Sequence, residues 1–373
     1  MKTIIIGGGI MGLAAAWGLT RDGNHIELFE QGPLPNPLGS SVDQHRLIRH
    51  PYGDYVGYAR MIDHAFAAWD LLWSDLGAKH YAPTGMLALT GNGETWAERS
   101  ARTLAAIGKP MEELDLAELP RRFPQLSATG VERAFWTASG GVLFAQDIVA
   151  GLARHLARQP AVTLRPGTRV RSVDLDRAHI VTDTGTEHQA DCIVVSAGAW
   201  VNRLLPATKG RLVPSRQVVV YFDIPDSDRA LWAKGPMIID KAGDVGLYLV
   251  PPAAGRGLKV GDHDFSRSGD PDGPREAAPS DVAPLLARCH DLLRGYDKWR
   301  IEQLKVCFYT VTEDERFVVE KLGRQGWVMS PCSGHGFKFG ALMGLELART
   351  IANERDPTQH ARWAAGLEGA LAT

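Results

Sequence analysis

The sequence predicts an α/β fold: a doubly wound sheet whose chain is interrupted by a second, mostly antiparallel sheet. Three observations predict it. The first thirty residues have the pattern strand, glycine turn, helix, strand. Stretches at 134–144, 212–224 and 245–261 are rich in Val, Tyr and Leu and lack long helical partners. Glycine-rich signals like the first recur near 190 and 330, so the opening domain is discontinuous. We assign 1–78, 138–208 and 300–365 to it, and 79–137 and 209–299 to the inserted domain. A chain of 373 residues exceeds the usual single core and suits two domains.

In order along the chain, Thr3 to Ile6 is a short apolar run bounded by glycine. "IMGLAAAWGLTRDG" has helical spacing and stops at Gly23, and "HIELFE" (25–30) alternates and ends in an acid. "DYVGYARMIDHAFAAWDLLWSDL" (54–76) carries its Trp, Phe and Leu on one helical stripe. Further helices are expected at 145–158, 281–295 and 341–354, and "SRSGDPDGPREAAPSD" (266–281) has the composition of a surface loop.

Composition removes several classes of function. With 41 Lys+Arg against 43 Asp+Glu, a net charge of -2 gives no signal for nucleic acid. Cys192, Cys289, Cys307 and Cys332 lie far apart with no CxxC pair, which suggests neither metal site nor disulfide framework and fits a reducing cytoplasm. The apolar N-terminal run is too short to span a bilayer. Its three glycines argue for a strand and turn rather than a secretory signal.

"GGGIMG" places Gly7, Gly9 and Gly12 in GxGxxG spacing between a strand and a helix. There the turn must be tight and the backbone must approach a pyrophosphate, which side chains would block. Glu30 ends the second strand, where a carboxylate can accept ribose hydroxyls; it speaks against NADP and leaves NAD and FAD open. In "IVVSAGAW" (193–200), Ala197 and Gly198 let backbone pass close to a flat group, or simply end a strand. In "SGHGFKFG" (333–340), Gly334 and Gly336 aim amides at an anion and Lys338 adds a full charge, unless this is an ordinary helix start. "HRLIRHPYGD" (45–54) clusters Arg46, Arg49 and His50 around apolar Leu47 and Ile48, a pattern for a carboxylate clamp or a solvated basic face. "GLKVGDHD" (257–264) puts Lys259, Gly261 and His263 on one strand face, either toward a site or toward solvent.

Taken together, "GGGIMG", "RLIRHPYG", "GVLFAQD", "VSAGAW", "RQVVVYF", "GLKVGDH", "VCFYTVTEDERFVV" and "SGHGFKFG" resemble the monomeric sarcosine oxidase and N-methyltryptophan oxidase family of D-amino-acid-oxidase-like flavoproteins, in order and over nearly the whole length. The resemblance implies a Rossmann-type FAD domain and a covalent link from Cys307 to the flavin. It implies that Arg49 and Lys338 bind the substrate carboxylate, and that Tyr248, His263 and Tyr309 line the substrate side of the ring. Lys259 would promote reaction of the reduced flavin with dioxygen, and Arg46 would lie close to the isoalloxazine. The cofactor contacts it implies, beyond those already named, are Ile10, Met11, Gln31, Ser40, Leu47, Val170, Ser196, Trp200, His335 and Phe337. Where relatives read "SHHGDTR", this chain reads "SSVDQHR" (40–46), with Val42 for a histidine near the flavin and His45 for a threonine, which alters the local electrostatics.

The expected function is therefore an FAD-dependent oxidase of a secondary amino acid, with an N-methyl one first. A cyclic secondary or a primary amino acid, a nicotinamide-dependent dehydrogenase and a non-catalytic flavin protein are the alternatives. The expected partners are an amino acid and O2, with neither membrane nor nucleic acid, and the resemblance implies a monomer.

Overall fold

In the computed structural model, which describes residues 1–93, 95–242 and 246–367, the chain opens as its first thirty residues predict. Lys2–Ile6 and His25–Phe29 are parallel neighbours joined by the helix Ile10–Arg21. Consecutive isoleucines suit this central strand because both of its faces are covered. Ile5 packs in one core with the helices, and Ile4 and Ile6 pack in another on the opposite face.

Across the sheet the order is Val318–Lys321, Gly326–Ser330, Cys192–Val195, Lys2–Ile6, His25–Phe29 and Val162–Arg165, every neighbouring pair parallel except the first. Segments from the start, middle and end of the chain thus share one sheet. Helices Ile10–Arg21, Val56–Leu76, Ala145–Ala157 and Gly340–Ile351 cover one face, all close to their expected bounds. Small residues set how closely two of them cross: a Cβ on Gly18 would lie 2.5 Å from Gly344 O, and one on Gly344 would lie 2.3 Å from Ala14 O. The other face carries a three-stranded antiparallel sheet, Val170–Asp174, His179–Thr182 and Glu187–Gln189, for which the sequence offered no strong period. No helix among the described residues is long and apolar enough to cross a membrane.

The second sheet has eight strands, ordered Arg300–Val311, Val213–Asp223, Leu258–Asp262, Leu247–Val250, Met237–Lys241, Met86–Thr90, Arg133–Thr137 and Glu112–Leu114. Only Met237–Lys241 and Met86–Thr90 run parallel. Two expected strands are each divided in two. Gly140, with φ of +130°, breaks 134–144, and Gly140–Leu143 leaves for a small sheet with Arg46–Arg49 and Tyr81–Pro83. Pro251 and Pro252 break 245–261, in which Val245 lies outside the described residues. The predicted helix at 281–295 is a 3-10 turn, Pro279–Val282, followed by Ala283–Leu292.

Arg300–Val311 falls in the range assigned to the opening domain, yet it is the edge strand of the eight-stranded sheet. It also reaches the other layer: Phe308 O accepts from Ser40 Oγ, and Thr310 N donates to Cys332 Sγ at 3.4 Å. Its first half is largely exposed and its second half is buried.

Candidate active site

The glycine turn is built by exclusion. Gly7 has φ of +110°, and a Cβ there would lie 2.5 Å from Ser196 O; a Cβ on Gly12 would lie 1.9 Å from Gly7 O. The turn is tied down from the second strand, where Glu30 accepts from Gly8 N at 2.7 Å, Gly32 N at 3.0 Å and Asn36 Nδ2 at 2.9 Å. The acid therefore braces the loop as well as standing at the strand end. Ser41 Oγ accepts the first helical amide, Ile10 N, at 3.0 Å, while the N-cap residue Gly9 contributes no side chain of its own.

From this turn a cavity of about 1260 Å³ runs between the two large sheets to Tyr309 and Lys338. Every cofactor and catalytic residue named from the sequence lines it except Gly12, which is packed beneath the turn, and Cys307. Cys307 is buried behind the wall, where it borders a small hollow with Asp43, Arg46 and Lys305, whereas Cys332 lines the main cavity. Burial pushes both thiols upward, with Arg46 opposing it at each.

Deeper in the cavity lining, the half-buried Arg49 and the buried Lys338 share one aromatic ring. The Arg49 guanidinium lies 4.7 Å from the centroid of Tyr52 and 4.9 Å from that of Trp96, and Lys338 Nζ lies 5.5 Å from that of Tyr52. Lys338 donates to Tyr52 OH at 3.0 Å and to His335 O at 2.7 Å, and Arg49 donates to Pro51 O. No acid among the described residues pairs with either. Burial pulls both below their ordinary values, and Arg49 pulls Lys338 further. Such a pair is a ready anion site. Tyr248, Tyr309 and His263 line the same cavity, with His263 3.3 Å from Glu315 just past the end of its strand.

Lys259 lines the cavity from the eight-stranded sheet and donates to Asp43 at 2.5 Å. The same carboxylate accepts from Arg46 and Tyr221 and lies 3.6 Å from Lys305. Three cations around it hold Asp43 well below the carboxylate range despite burial. Burial draws Lys259 down to about 8 while Asp43 resists. Of the departures at 40–46, His45 adds no charge at neutral pH, because burial and the Lys259 cation lower it to about 3. The strong charge of this corner belongs to Asp43 and the cations around it, and the sequence analysis gave Asp43 no role.

Against known proteins, the model of the FAD dependent oxidoreductase family matches residues 2–350. The chain belongs to the FAD-dependent oxidoreductase family. It is 30% identical over 368 residues to monomeric sarcosine oxidase of Bacillus sp. strain B-0618, covering 95% of this chain and 93% of that one. It is 27% identical over 361 residues to N-methyl-L-tryptophan oxidase of Salmonella arizonae, covering 95% of each. Two solved structures share its fold. L-proline dehydrogenase from P. horikoshii has a TM-score of 0.83 at 18% identity and covers 98% and 96% of the two chains. NikD, an amino acid oxidase essential for nikkomycin biosynthesis, has a TM-score of 0.80 at 19% identity and covers 95% and 94%. The chain is thus a flavin-dependent oxidoreductase, and the nicotinamide alternative is set aside.

The residues fit FAD. The space that Cβ atoms on Gly7 and Gly12 would fill is kept open at a helix start, where amides favour a pyrophosphate. Gly336 keeps the second loop equally tight, since a Cβ there would lie 1.7 Å from Pro331 O. Cavity residues without a motif in the sequence, among them Asn36, Lys241 and Cys332, are brought in only by the fold.

Proposed function

We propose that the chain oxidises a secondary amino acid, with N-methyl amino acids first, to an imine while O2 is reduced to hydrogen peroxide. The observation that carries this reading is the cation couple of Arg49 and Lys338 on Tyr52 in the cavity wall, with which no acid among the described residues pairs. A carboxylate docked there offsets one buried and one half-buried charge and fixes the amine beside Tyr248 and Tyr309, so binding energy is used for orientation. FAD, when bound, supplies the two-electron acceptor. The aromatic wall excludes water, and Lys259 brings a positive charge to the cavity for the negative charge that develops on dioxygen. Four separated cysteines suit a reducing cytoplasm, and the resemblance implies a monomer.

Sarcosine, N-methyltryptophan, pipecolate, proline and glycine, added anaerobically to the yellow protein and then assayed for peroxide in air, test the reading. Bleaching by at least one secondary amino acid with stoichiometric peroxide is expected. A flavin that none of them bleaches would end it.

We place the covalent link at Cys307, on the family motif that surrounds it. The exposure of Cys332 to the cavity favours a second reading, with the link at that thiol. Acid-precipitated, washed polypeptide should be yellow in the native and Cys332→Ala proteins and colourless in Cys307→Ala. Colour lost only in Cys332→Ala moves the link, and a colourless native polypeptide removes it.

A further inference from the structure

Two cations suffice for one carboxylate, and the same end of the cavity holds a third. Lys241 ends the strand Met237–Lys241 and lines the cavity beside Tyr248 and Glu315. No acid among the described residues lies within ion-pair distance of it, and the described acids nearest it are engaged elsewhere. Asp240 takes Arg288 at 2.6 Å, Glu315 takes His263 at 3.3 Å, and Asp262 accepts the Asp264 amide at 3.2 Å. Room for the ammonium is left by Gly246, where a Cβ would sit 2.5 Å from Lys241 Nζ. Burial, with Arg49 nearby, draws Lys241 below the ordinary lysine value.

A substrate with a single negative charge would leave this ammonium partly desolvated and uncompensated, which is unfavourable. We propose that the site takes a dicarboxylic secondary amino acid, one carboxylate on Arg49 and Lys338 and the second on Lys241. The inference rests on the carboxylate reading above and narrows it: the substituent away from the reacting carbon is acidic, not merely bulky. Lys241 is then a specificity residue that lies outside every motif quoted from the sequence.

The test uses the holoprotein and two acids it cannot oxidise. Glutarate and pentanoate differ in one terminal carboxylate, and their dissociation constants are read from the shift in flavin absorbance at fixed ionic strength. Glutarate should bind tighter by about tenfold or more. Lys241→Met should remove that preference, and Lys241→Arg should keep it. Equal affinities in the native protein, or a preference that survives Lys241→Met, overturn the inference and leave amine oxidation standing. If neither acid perturbs the flavin or competes with an amine, the carboxylate site itself falls and the inference falls with it.

Discussion

Replacing Lys259 by methionine should slow reoxidation of the reduced flavin by O2 by on the order of 10²–10³-fold, the scale seen when one preorganised electrostatic contact is removed. Reduction by the amine should change far less. Methionine retains most of the stem that packs in this buried position, so the experiment isolates the charge. The sign of the pH dependence follows from the depressed value of the lysine. With its ammonium form lost near pH 8, the O2 reaction of the native protein should fall as pH rises through about 8, and the variant should show no such step. Stopped-flow mixing of anaerobically reduced protein with O2 measures both. Equal slowing of the two half-reactions would refute the assignment. Arg46 and Lys305 share Asp43 with Lys259, so the corner keeps a net positive charge even with its buried acid ionised.

The second large effect is expected at Gly12→Ala, where two contributions oppose each other. Alanine within a helix is favoured over glycine by roughly 0.5–1 kcal/mol. Its Cβ, however, would lie 1.9 Å from Gly7 O and 2.6 Å from Ser196 Oγ, and the first of these is backbone that cannot rotate away. Overpacking of this kind costs about 1–3 kcal/mol or more. The clash wins, and relief requires moving the turn that receives the pyrophosphate. Affinity for flavin should fall at least about tenfold, equivalent to 1.4 kcal/mol of binding, and the flavin retained per chain should fall with it. Gly23→Ala is the control: its φ of +75° also disfavours alanine, but nothing lies within 4 Å of the new atom and it does not line the cavity. Absorbance at the flavin band relative to protein, after gel filtration, decides it. A Gly12→Ala protein as yellow as the native one would show that the turn is not the cofactor cradle.

The glycine turn was legible in the sequence because its requirement is local. Strand, tight turn and helix start lie within twenty residues, and only glycine meets the approach of Ser196. Arg49 stood out because charge among apolar neighbours signals a partner and Lys338 because a cation follows two glycines at a helix start, while their pairing came from the family resemblance. Asp43 was not, because its meaning comes from Lys259, 216 residues away. Lys241 ends an ordinary strand and becomes notable only when Arg49 and Gly246 are folded beside it. Strand ends were missed where glycine or proline divides an apolar run, at Gly140 and at Pro251. The three-stranded sheet at 170–189 was missed because strands of three to five residues with polar faces carry little periodicity.

The strand Arg300–Val311 is stitched to both halves of the molecule, along its length to Val213–Asp223 and near its end to Ser40 and Cys332. Neither half therefore has a seam along which it could detach intact. Melting the inserted layer must also undo the wall that holds Cys307 and Tyr309, so heat damage and loss of the redox centre become one cooperative event rather than two.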